Sequence, residues 1–428
     1  MAKINANYDK LAAGYLFPEI AKRTKAFVAA NPGVQIYRLG IGNTTEPLPQ
    51  SVISGLKLGV DKLADVKTYS GYGDEQGDER LRKAIAEKHY GKYGVSVDPQ
   101  EVFVSDGAKC DAANIQQIFG LENVVAVQDP AYPVYVDTNV ASGRTGKFNP
   151  EKGTYDGLIY MPCNEQGGFA PSIVPLVDVV RKEIREKGIG CAPKGVDLIY
   201  LCSPNNPTGA VMTHKELKAF VGYAREFKSV IIFDAAYSEY IKDASLPRTI
   251  YEIEGAKDCA IEIQSFSKSA GFTGVRCGWT VVPKNLVTED SLPGKVNSLW
   301  NRRSTTFFNG ASNVVQEGAL AVLSEQGMQD CGKVIDYYMG NAEVIRKGLD
   351  SLRIKHFGGT NAPFIWMQTP NQMKAWEFFD KMLNEAHVVC TPGVGFGPSG
   401  EGYVRLSAFG HRENIEKAVD SVVKNLKR

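Results

Sequence analysis

A lysine flanked by hydroxyl residues is the clearest chemical signal in the sequence. Residues 265–278 read Ser-Phe-Ser-Lys-Ser-Ala-Gly-Phe-Thr-Gly-Val-Arg-Cys-Gly, so Lys268 has serines nearby on both sides and Arg276 follows a glycine-containing loop. A lysine amine can form a Schiff base with an aldehyde. Ser265, Ser267 and Arg276 can donate hydrogen bonds to a phosphate dianion. The stretch therefore predicts a site that holds a phosphorylated aldehyde covalently.

Predicted strands lead directly into polar residues at several points of the chain. Residues 229–233 form a continuous apolar run of the kind expected in a parallel sheet, and the run ends at Asp234. The other strands predicted in the first 300 residues are short apolar runs of the same kind, at 102–104, 124–127, 197–202, 259–264 and 277–282. We expect Lys268 to lie in the turn that leaves the 259–264 strand.

A second anion-binding feature is predicted after the strand at 102–104. Ser-Asp-Gly follows this strand, and a helix is predicted to begin near Ala108 and Lys109. Free backbone amides and the helix dipole at such an end favour a phosphate. A plain capped helix would have the same pattern, so the segment by itself leaves both interpretations open.

Composition describes an ordinary globular protein of two or three domain-sized units. The chain has 428 residues, 43% hydrophobic and 23% charged, with a net charge of +1. No basic block favours nucleic acid, and no apolar run approaches a membrane span. The eight cysteines form no C-x-x-C pair and the five histidines are dispersed, so no metal site is predicted. We expect reduced thiols in a cytoplasmic compartment, or in a plastid stroma if a transit peptide has been removed.

Two glycine motifs do not support nucleotide binding. Residues 395–400 formally match G-x-G-x-x-G, but the motif contains Pro398 and precedes a predicted strand, whereas the dinucleotide fingerprint opens a helix. The glycines at 40–42 and those around Tyr72 lack the lysine that closes a P-loop.

The lysine motif resembles that of fold-type I pyridoxal-phosphate aminotransferases of classes I and II. Asn-Pro-Thr-Gly at 206–209, after an apolar strand, closely matches another motif of that family. The resemblance implies an α/β fold: a large domain with a mixed, mostly parallel seven-stranded sheet between helices, and a smaller α+β domain. We expect residues 1–60 to form an N-terminal arm and part of the small domain, 61–300 the large cofactor-binding domain, and 301–428 the rest of the small domain.

The resemblance also implies a set of residues that bind pyridoxal 5'-phosphate. They are Tyr72, Ala108, Lys109, Tyr132, Asn206, Asp234, Tyr237, Ser265, Ser267, Lys268, Arg276 and Asn309. Lys268, Asp234 and Tyr237 are the expected catalytic residues. Asp234 would keep the pyridine nitrogen protonated, Tyr132 would stack on the ring, and Tyr237 would donate to the phenolic oxygen.

Further segments resemble the LL-diaminopimelate aminotransferase family, at 5–23, 39–47, 72–77 and 105–111. This resemblance implies amino transfer between LL-2,6-diaminopimelate and 2-oxoglutarate in lysine biosynthesis. It also implies a homodimer with shared active sites, in which Tyr72 reaches the cofactor phosphate of the other subunit.

The residues expected to bind substrate are Tyr15, Gly42, Glu75, Lys109, Tyr132, Asn206, Asn309 and Arg405. Arg405 and Asn206 would hold the reacting carboxylate, because a guanidinium suits a bidentate pair. Glu75 is the candidate acceptor for the distal ammonium of diaminopimelate, and Tyr15 and Lys109 are candidates for its distal carboxylate.

The same residues bear on three alternatives to this function. A related class I or II aminotransferase with a different amino donor would look much the same. A fold-type I decarboxylase or carbon–carbon ligase is less favoured, since a carboxylate clamped by Arg405 lies in the ring plane and is not poised to leave. A transcription regulator built on this fold would need an added DNA-binding domain, for which the chain has no basic segment.

Overall fold

A computed structural model describes residues 1–11, 16–40, 42–187 and 193–426. The helices are α1 Leu16–Ala30, α2 Gln50–Ala64, α3 Glu79–Ala84, α4 Ala108–Asn114, α5 Val134–Ser142, α6 Val174–Lys187, α7 His214–Phe227, α8 Phe266–Ser269, α9 Lys295–Phe307, α10 Asn313–Val322, α11 Glu325–Ser351, α12 Ala375–Ala386 and α13 Arg412–Asn425. The strands are β1 Tyr37–Arg38, β2 Val102–Ser105, β3 Val125–Asp129, β4 Phe148–Asn149, β5 Thr154–Tyr155, β6 Leu158–Pro162, β7 Leu198–Cys202, β8 Val230–Asp234, β9 Ala260–Ser265, β10 Gly278–Val281, β11 His356–Gly358, β12 Phe364–Gln368, β13 Val388–Val389, β14 Thr391–Pro392 and β15 Tyr403–Ser407.

The main sheet has seven strands in the order β2-β10-β9-β8-β7-β3-β6. Only β10 runs antiparallel to its neighbours, so the predicted mixed, mostly parallel sheet is confirmed. Every residue of β7, β8 and β9 is buried, since helices cover both faces of the sheet. The predicted strands agree with the observed ones to within one or two residues at each end.

A second, four-stranded antiparallel sheet has the order β11-β12-β15-β14. Helices α11, α12 and α13 share its apolar core, and Leu16 and Ile20 of α1 pack into the same core. Strand β1 pairs in parallel with β13, so the N-terminal segment joins this smaller unit. The predicted domain boundaries at 60 and 300 stay predictions.

The lysine is carried by a helical turn. Lys268 lies directly after its strand, as expected, and the turn there is helical because β9 leads into the single turn α8. The Ser265 hydroxyl accepts a hydrogen bond from the Ser267 amide at 3.0 Å, which caps that turn. The lysine therefore projects from regular backbone. None of the helices in the described ranges is long and apolar enough to cross a bilayer.

Candidate active site

A cavity of about 380 Å³ lies where the carboxyl ends of β7, β8 and β9 face the smaller sheet. This volume is within the usual range for small-molecule sites. Its lining residues come from widely separated segments. They are Phe17, Gly42, Asn43, Ala108, Lys109, Tyr132, Tyr135, Cys202, Asn206, Asp234, Ala236, Tyr237, Ser265, Ser267, Lys268, Thr273, Arg276 and Arg405. Twelve of the predicted site residues are therefore brought together around one cavity.

The Lys268 amine is held in an electropositive, largely dry position. Its Nζ donates to the Gly42 carbonyl and lies 5.5 Å from the centre of the Phe409 ring. Burial, together with the positive charges of Arg405 and Arg276, lowers the pKa of this amine to about 8. An amine with this pKa is partly neutral near pH 7 to 8, which is the form that can attack a carbonyl or accept a proton.

Asp234 is a buried carboxylate at the last residue of β8. The Ala236 amide donates to its Oδ1 at 3.0 Å and the Tyr135 hydroxyl donates to its Oδ2 at 2.6 Å. Burial raises the pKa of Asp234, and these two hydrogen bonds oppose the rise. The carboxylate is thus oriented from both oxygens at the cavity wall, where it can pair with a protonated ring nitrogen.

Tyr135 is a functional residue that the sequence reasoning missed. It follows Tyr132 by three residues, and α5 begins between them at Val134. That spacing places the two rings on the same side of a helical turn, which is the signal that could have identified it. Asn43 directly follows the predicted Gly42, and Thr273 lies in the loop between Lys268 and Arg276; these neighbours also line the cavity.

Part of the cavity wall contains groups that could hold a phosphate. Arg276 Nη1 donates to the Ser267 hydroxyl at 3.1 Å. Gly107, which precedes α4, has a φ of +132° and lies so close to Arg276 that any Cβ there would collide with the guanidinium. The backbone of α4 and the arginine therefore meet at one point, as a phosphate held from both sides would require.

Another part of the cavity wall contains an arginine clamp. Arg405 Nη1 donates to the Asn206 side-chain oxygen at 2.6 Å, and Nη2 donates to the Gly40 carbonyl at 3.1 Å. Its guanidinium carbon lies 4.6 Å from the centre of the Phe364 ring, and the side chain is only 2% exposed. The buried Nε has no hydrogen-bond partner among the described residues. An unmet donor on a buried cation favours an anionic ligand such as a carboxylate.

Three predicted residues do not line this cavity in the single chain, and a fourth cannot be placed. Tyr72 is 88% exposed, and Asn309 is exposed as well. Glu75 is half-buried on the same loop as Tyr72, and Gly310 packs against the backbone of that loop. Tyr15 lies outside the described residues. The roles of these four residues stay predictions.

Residues 34–422 match the family model described as aminotransferase class I and II. The chain belongs to the class I and II aminotransferases. Among solved structures it is similar to L,L-diaminopimelate aminotransferase from Chlamydomonas reinhardtii, with 46% identity, 98% of each chain covered and a TM-score of 0.88. It is also similar to BacF from Bacillus subtilis, at 25% identity, 99% and 98% coverage and a TM-score of 0.80. Aspartate aminotransferase from Thermus thermophilus, at 20% identity, 99% and 100% coverage and a TM-score of 0.81, shares the fold.

Aminotransferases of this family depend on pyridoxal 5'-phosphate, and the cavity suits that cofactor. Lys268 has an amine of lowered pKa, and Asp234 has a buried carboxylate that would face the ring nitrogen. Arg276 and Ser267 would supply donors for the phosphate. When bound, the cofactor provides an electron-withdrawing ring that accepts the electrons left at the substrate α-carbon.

Proposed function

We propose that this aminotransferase interconverts LL-2,6-diaminopimelate and 2-oxoglutarate with tetrahydrodipicolinate, glutamate and water. The observation that carries the proposal is the 46% identity to an L,L-diaminopimelate aminotransferase over 98% of both chains. The cavity supports it, because Arg405 and Asn206 can hold the carboxylate of an amino acid while Ser267 and Arg276, in the same cavity, can hold the cofactor phosphate.

In this proposal each side chain at the cavity has a separate task. Arg405 and Asn206 orient the α-carboxylate in one plane, which directs the α-hydrogen toward Lys268. The Lys268 amine removes that proton and returns it two bonds away, as a 1,3-proton transfer requires, and a pKa near 8 suits this task. Asp234 keeps a positive charge on the ring nitrogen, and Tyr237 donates to the phenolic oxygen.

The functional unit that we propose is a homodimer with shared sites. Tyr72, Glu75 and Asn309 point to this arrangement, because they lie together on the surface although the family resemblance assigns them to a site. Asn313 Nδ2 fixes their loop through the Ser70 hydroxyl at 2.8 Å. Large apolar side chains are exposed on α2, on the segment after it and at the end of α9: Leu58, Val60, Leu63, Val66, Tyr69 and Phe307. Apolar surface of this kind favours a covered interface.

The compartment proposed for the enzyme is reducing, as in cytoplasm or plastid stroma. The cysteines described by the structure are free thiols, namely Cys110, Cys163, Cys202, Cys259, Cys277, Cys331 and Cys390. Thiols in this state are typical of proteins that function in reducing compartments.

An amino-donor panel tests the proposed substrate. Purified, cofactor-loaded protein is supplied with 2-oxoglutarate and, separately, with LL-diaminopimelate, meso-diaminopimelate, aspartate, alanine and aromatic amino acids. We expect kcat/KM to be highest for LL-diaminopimelate. A higher value for another donor would assign the chain to a related class I or II aminotransferase, and release of carbon dioxide would indicate decarboxylation instead.

A further inference from the structure

The glycine-rich turn at 393–400 lies between two walls of the active site. Two short helical turns, Gly393–Phe396 and Pro398–Gly400, connect β14 to β15, the strand that bears Arg405. The other side of this turn contacts the end of β3, which belongs to the main sheet and leads to Tyr132. The motif that formally resembled a dinucleotide fingerprint thus spans the gap between the carboxylate clamp and the ring-stacking tyrosine.

Hydrogen bonds join this turn to the end of β3 and to the segment that follows it. The Ser399 amide donates to both carboxylate oxygens of Asp129, to Oδ1 at 3.1 Å and to Oδ2 at 3.2 Å, and the Ser399 hydroxyl donates to Oδ2 at 2.7 Å. The Ala131 amide donates to the Phe396 carbonyl at 2.9 Å. Asp129 is the last residue of β3 and is 4% exposed. Its burial raises the pKa of the carboxyl to about 6, and both Ser399 bonds oppose that rise, so they stabilise the ionised form.

Close approach across this junction depends on glycine. Gly397 has a φ of +134°, and a Cβ at that position would collide with Asp129 Oδ1. On the other face of the turn, the Phe396 ring lies under Arg405, with its centre 5.0 Å from the guanidinium carbon. A shift of the turn relative to Asp129 would therefore move the aromatic surface on which the clamp rests.

We propose that Ser399 and Asp129 are positioning residues that hold the Phe396 turn against the end of β3 and thereby set the position of Arg405. Arg405 also bonds to Asn206 directly, so the pair adjusts the clamp rather than creating it. The pair bonds neither to Lys268 nor to the phosphate-binding groups in the described part of the chain. Loss of the pair should weaken the binding of dicarboxylic substrates and leave cofactor binding unchanged. The inference rests on the proposed transamination at this site and not on the identity of the amino donor.

Ser399→Ala tests the proposal in the cofactor-loaded protein. A misplaced Arg405 weakens substrate binding more than it disturbs the groups that carry the chemistry. We therefore expect KM for glutamate to rise about tenfold while kcat changes less than about threefold. The half-reaction is followed through the absorbance of the bound cofactor. Calorimetry with glutarate, an unreactive dicarboxylate, should show a similar rise in Kd. The affinity of the cofactor-free protein for pyridoxal 5'-phosphate should stay at the wild-type value.

Two comparison variants separate positioning from stability. Ser399→Thr retains the hydroxyl and should restore most of the substrate affinity. Ser421→Ala is the matched control, because Ser421 is another half-buried serine whose hydroxyl donates at 2.6 Å, to the Ala386 carbonyl within the smaller unit. It should leave KM unchanged. In addition, the double variant Asp129→Asn/Ser399→Ala should show a smaller fold-increase in KM than the product of the fold-increases in the two single variants. This is expected for residues that act through one contact.

Any of three results would overturn the proposal. The first is an unchanged KM and glutarate Kd in folded Ser399→Ala protein. The others are a rise in KM for Ser421→Ala equal to that for Ser399→Ala, and a loss of cofactor affinity in Ser399→Ala comparable to its loss of substrate affinity. If the wild-type protein shows no glutamate half-reaction, the proposed function fails, whereas the glutarate comparison still decides the role of Ser399 and Asp129.

Discussion

Lys268 is the residue at which the chemistry of the site is concentrated. In the cofactor-free protein, burial and two nearby arginines lower the pKa of its amine to about 8. The amine is protonated below that pH and neutral above it, and only the neutral form attacks an aldehyde. We therefore expect the rate of loading with pyridoxal 5'-phosphate to rise with pH through about 8. Stopped-flow absorbance checks this, and Lys268→Ala should lose both the visible band and activity. Borohydride trapping of the cofactor on Lys109 would contradict the assignment.

Asp234 and Tyr135 form the second pair to test at the residue scale. Tyr135→Phe removes the 2.6 Å hydrogen bond that opposes the effect of burial, so the pKa of Asp234 should rise further. The acidic limb of the pH profile of kcat/KM should then move to higher pH, and kcat/KM at neutral pH should fall about tenfold or more. Asp234→Asn should still bind the cofactor and lose most of its turnover.

Tyr200→Phe is the control for this pair. Tyr200 is buried and stacks on Tyr135, with ring centres 5.3 Å apart, and its hydroxyl has no hydrogen-bond partner within the described ranges. Removal of this hydroxyl should leave the pH profile of kcat/KM unchanged. Equal shifts for Tyr135→Phe and Tyr200→Phe would mean that the first change acts through packing alone.

Glu75 is the residue on which donor specificity is predicted to depend. A charge-assisted hydrogen bond to the distal ammonium contributes about 1.5–3 kcal/mol, so Glu75→Gln should lower kcat/KM for LL-diaminopimelate roughly 10- to 150-fold. Glutamate has no second amine, and its half-reaction should be spared. Parallel assays of both donors check this prediction. Equal losses would mean that Glu75 supports its loop and does not contact the substrate.

At the scale of elements, phosphate binding is predicted to depend on the junction of β2 and α4 with the Lys268 loop. Gly107 precedes α4 at a positive φ, and a side chain there would displace Arg276. Gly107→Ala should therefore raise the Kd for pyridoxal 5'-phosphate about tenfold or more, since a charged hydrogen-bond donor is moved. Gly94→Ala is the matched control, because Gly94 also has a positive φ but a Cβ there would meet nothing within 4 Å. It should cost stability and leave the cofactor Kd unchanged. Cofactor titration and thermal unfolding separate the two effects.

At the scale of the whole molecule, the proposed sharing of sites predicts complementation. Lys268→Ala and Tyr72→Phe proteins are mixed and allowed to exchange subunits. Half of randomly exchanged dimers are mixed, and each mixed dimer has one intact site, so about a quarter of the sites should be intact. The activity of the exchanged mixture should therefore exceed the summed activities of the two unmixed variants, in proportion to this fraction of intact sites. Proven subunit exchange without any gain would count against shared sites.

The sequence by itself determined the chemistry and most of the framework. Apolar runs such as 229–233 predict strands because they must be buried on both faces, and Asp234 follows that run at the edge where the site lies. Ser265, Ser267, Lys268 and Arg276 are close in the chain, so their short-range spacing was enough to predict a common site. Such patterns predict a common site because the geometry of strands and turns keeps residues that are close in the chain close in the folded protein.

Contacts between distant segments were decided only by the tertiary structure. Tyr135 reaches Asp234 across 99 positions of the chain, and Asp129 meets Ser399 across 270 positions. No local pattern predicts such pairs, because they depend on how helices pack on the sheet and how the two sheets meet. For Tyr72, Glu75 and Asn309, the fold of one chain is not sufficient either. In the proposed dimer, a second copy would supply the groups that complete their environment. The family resemblance predicts their roles, and in one subunit they lie at or near the surface.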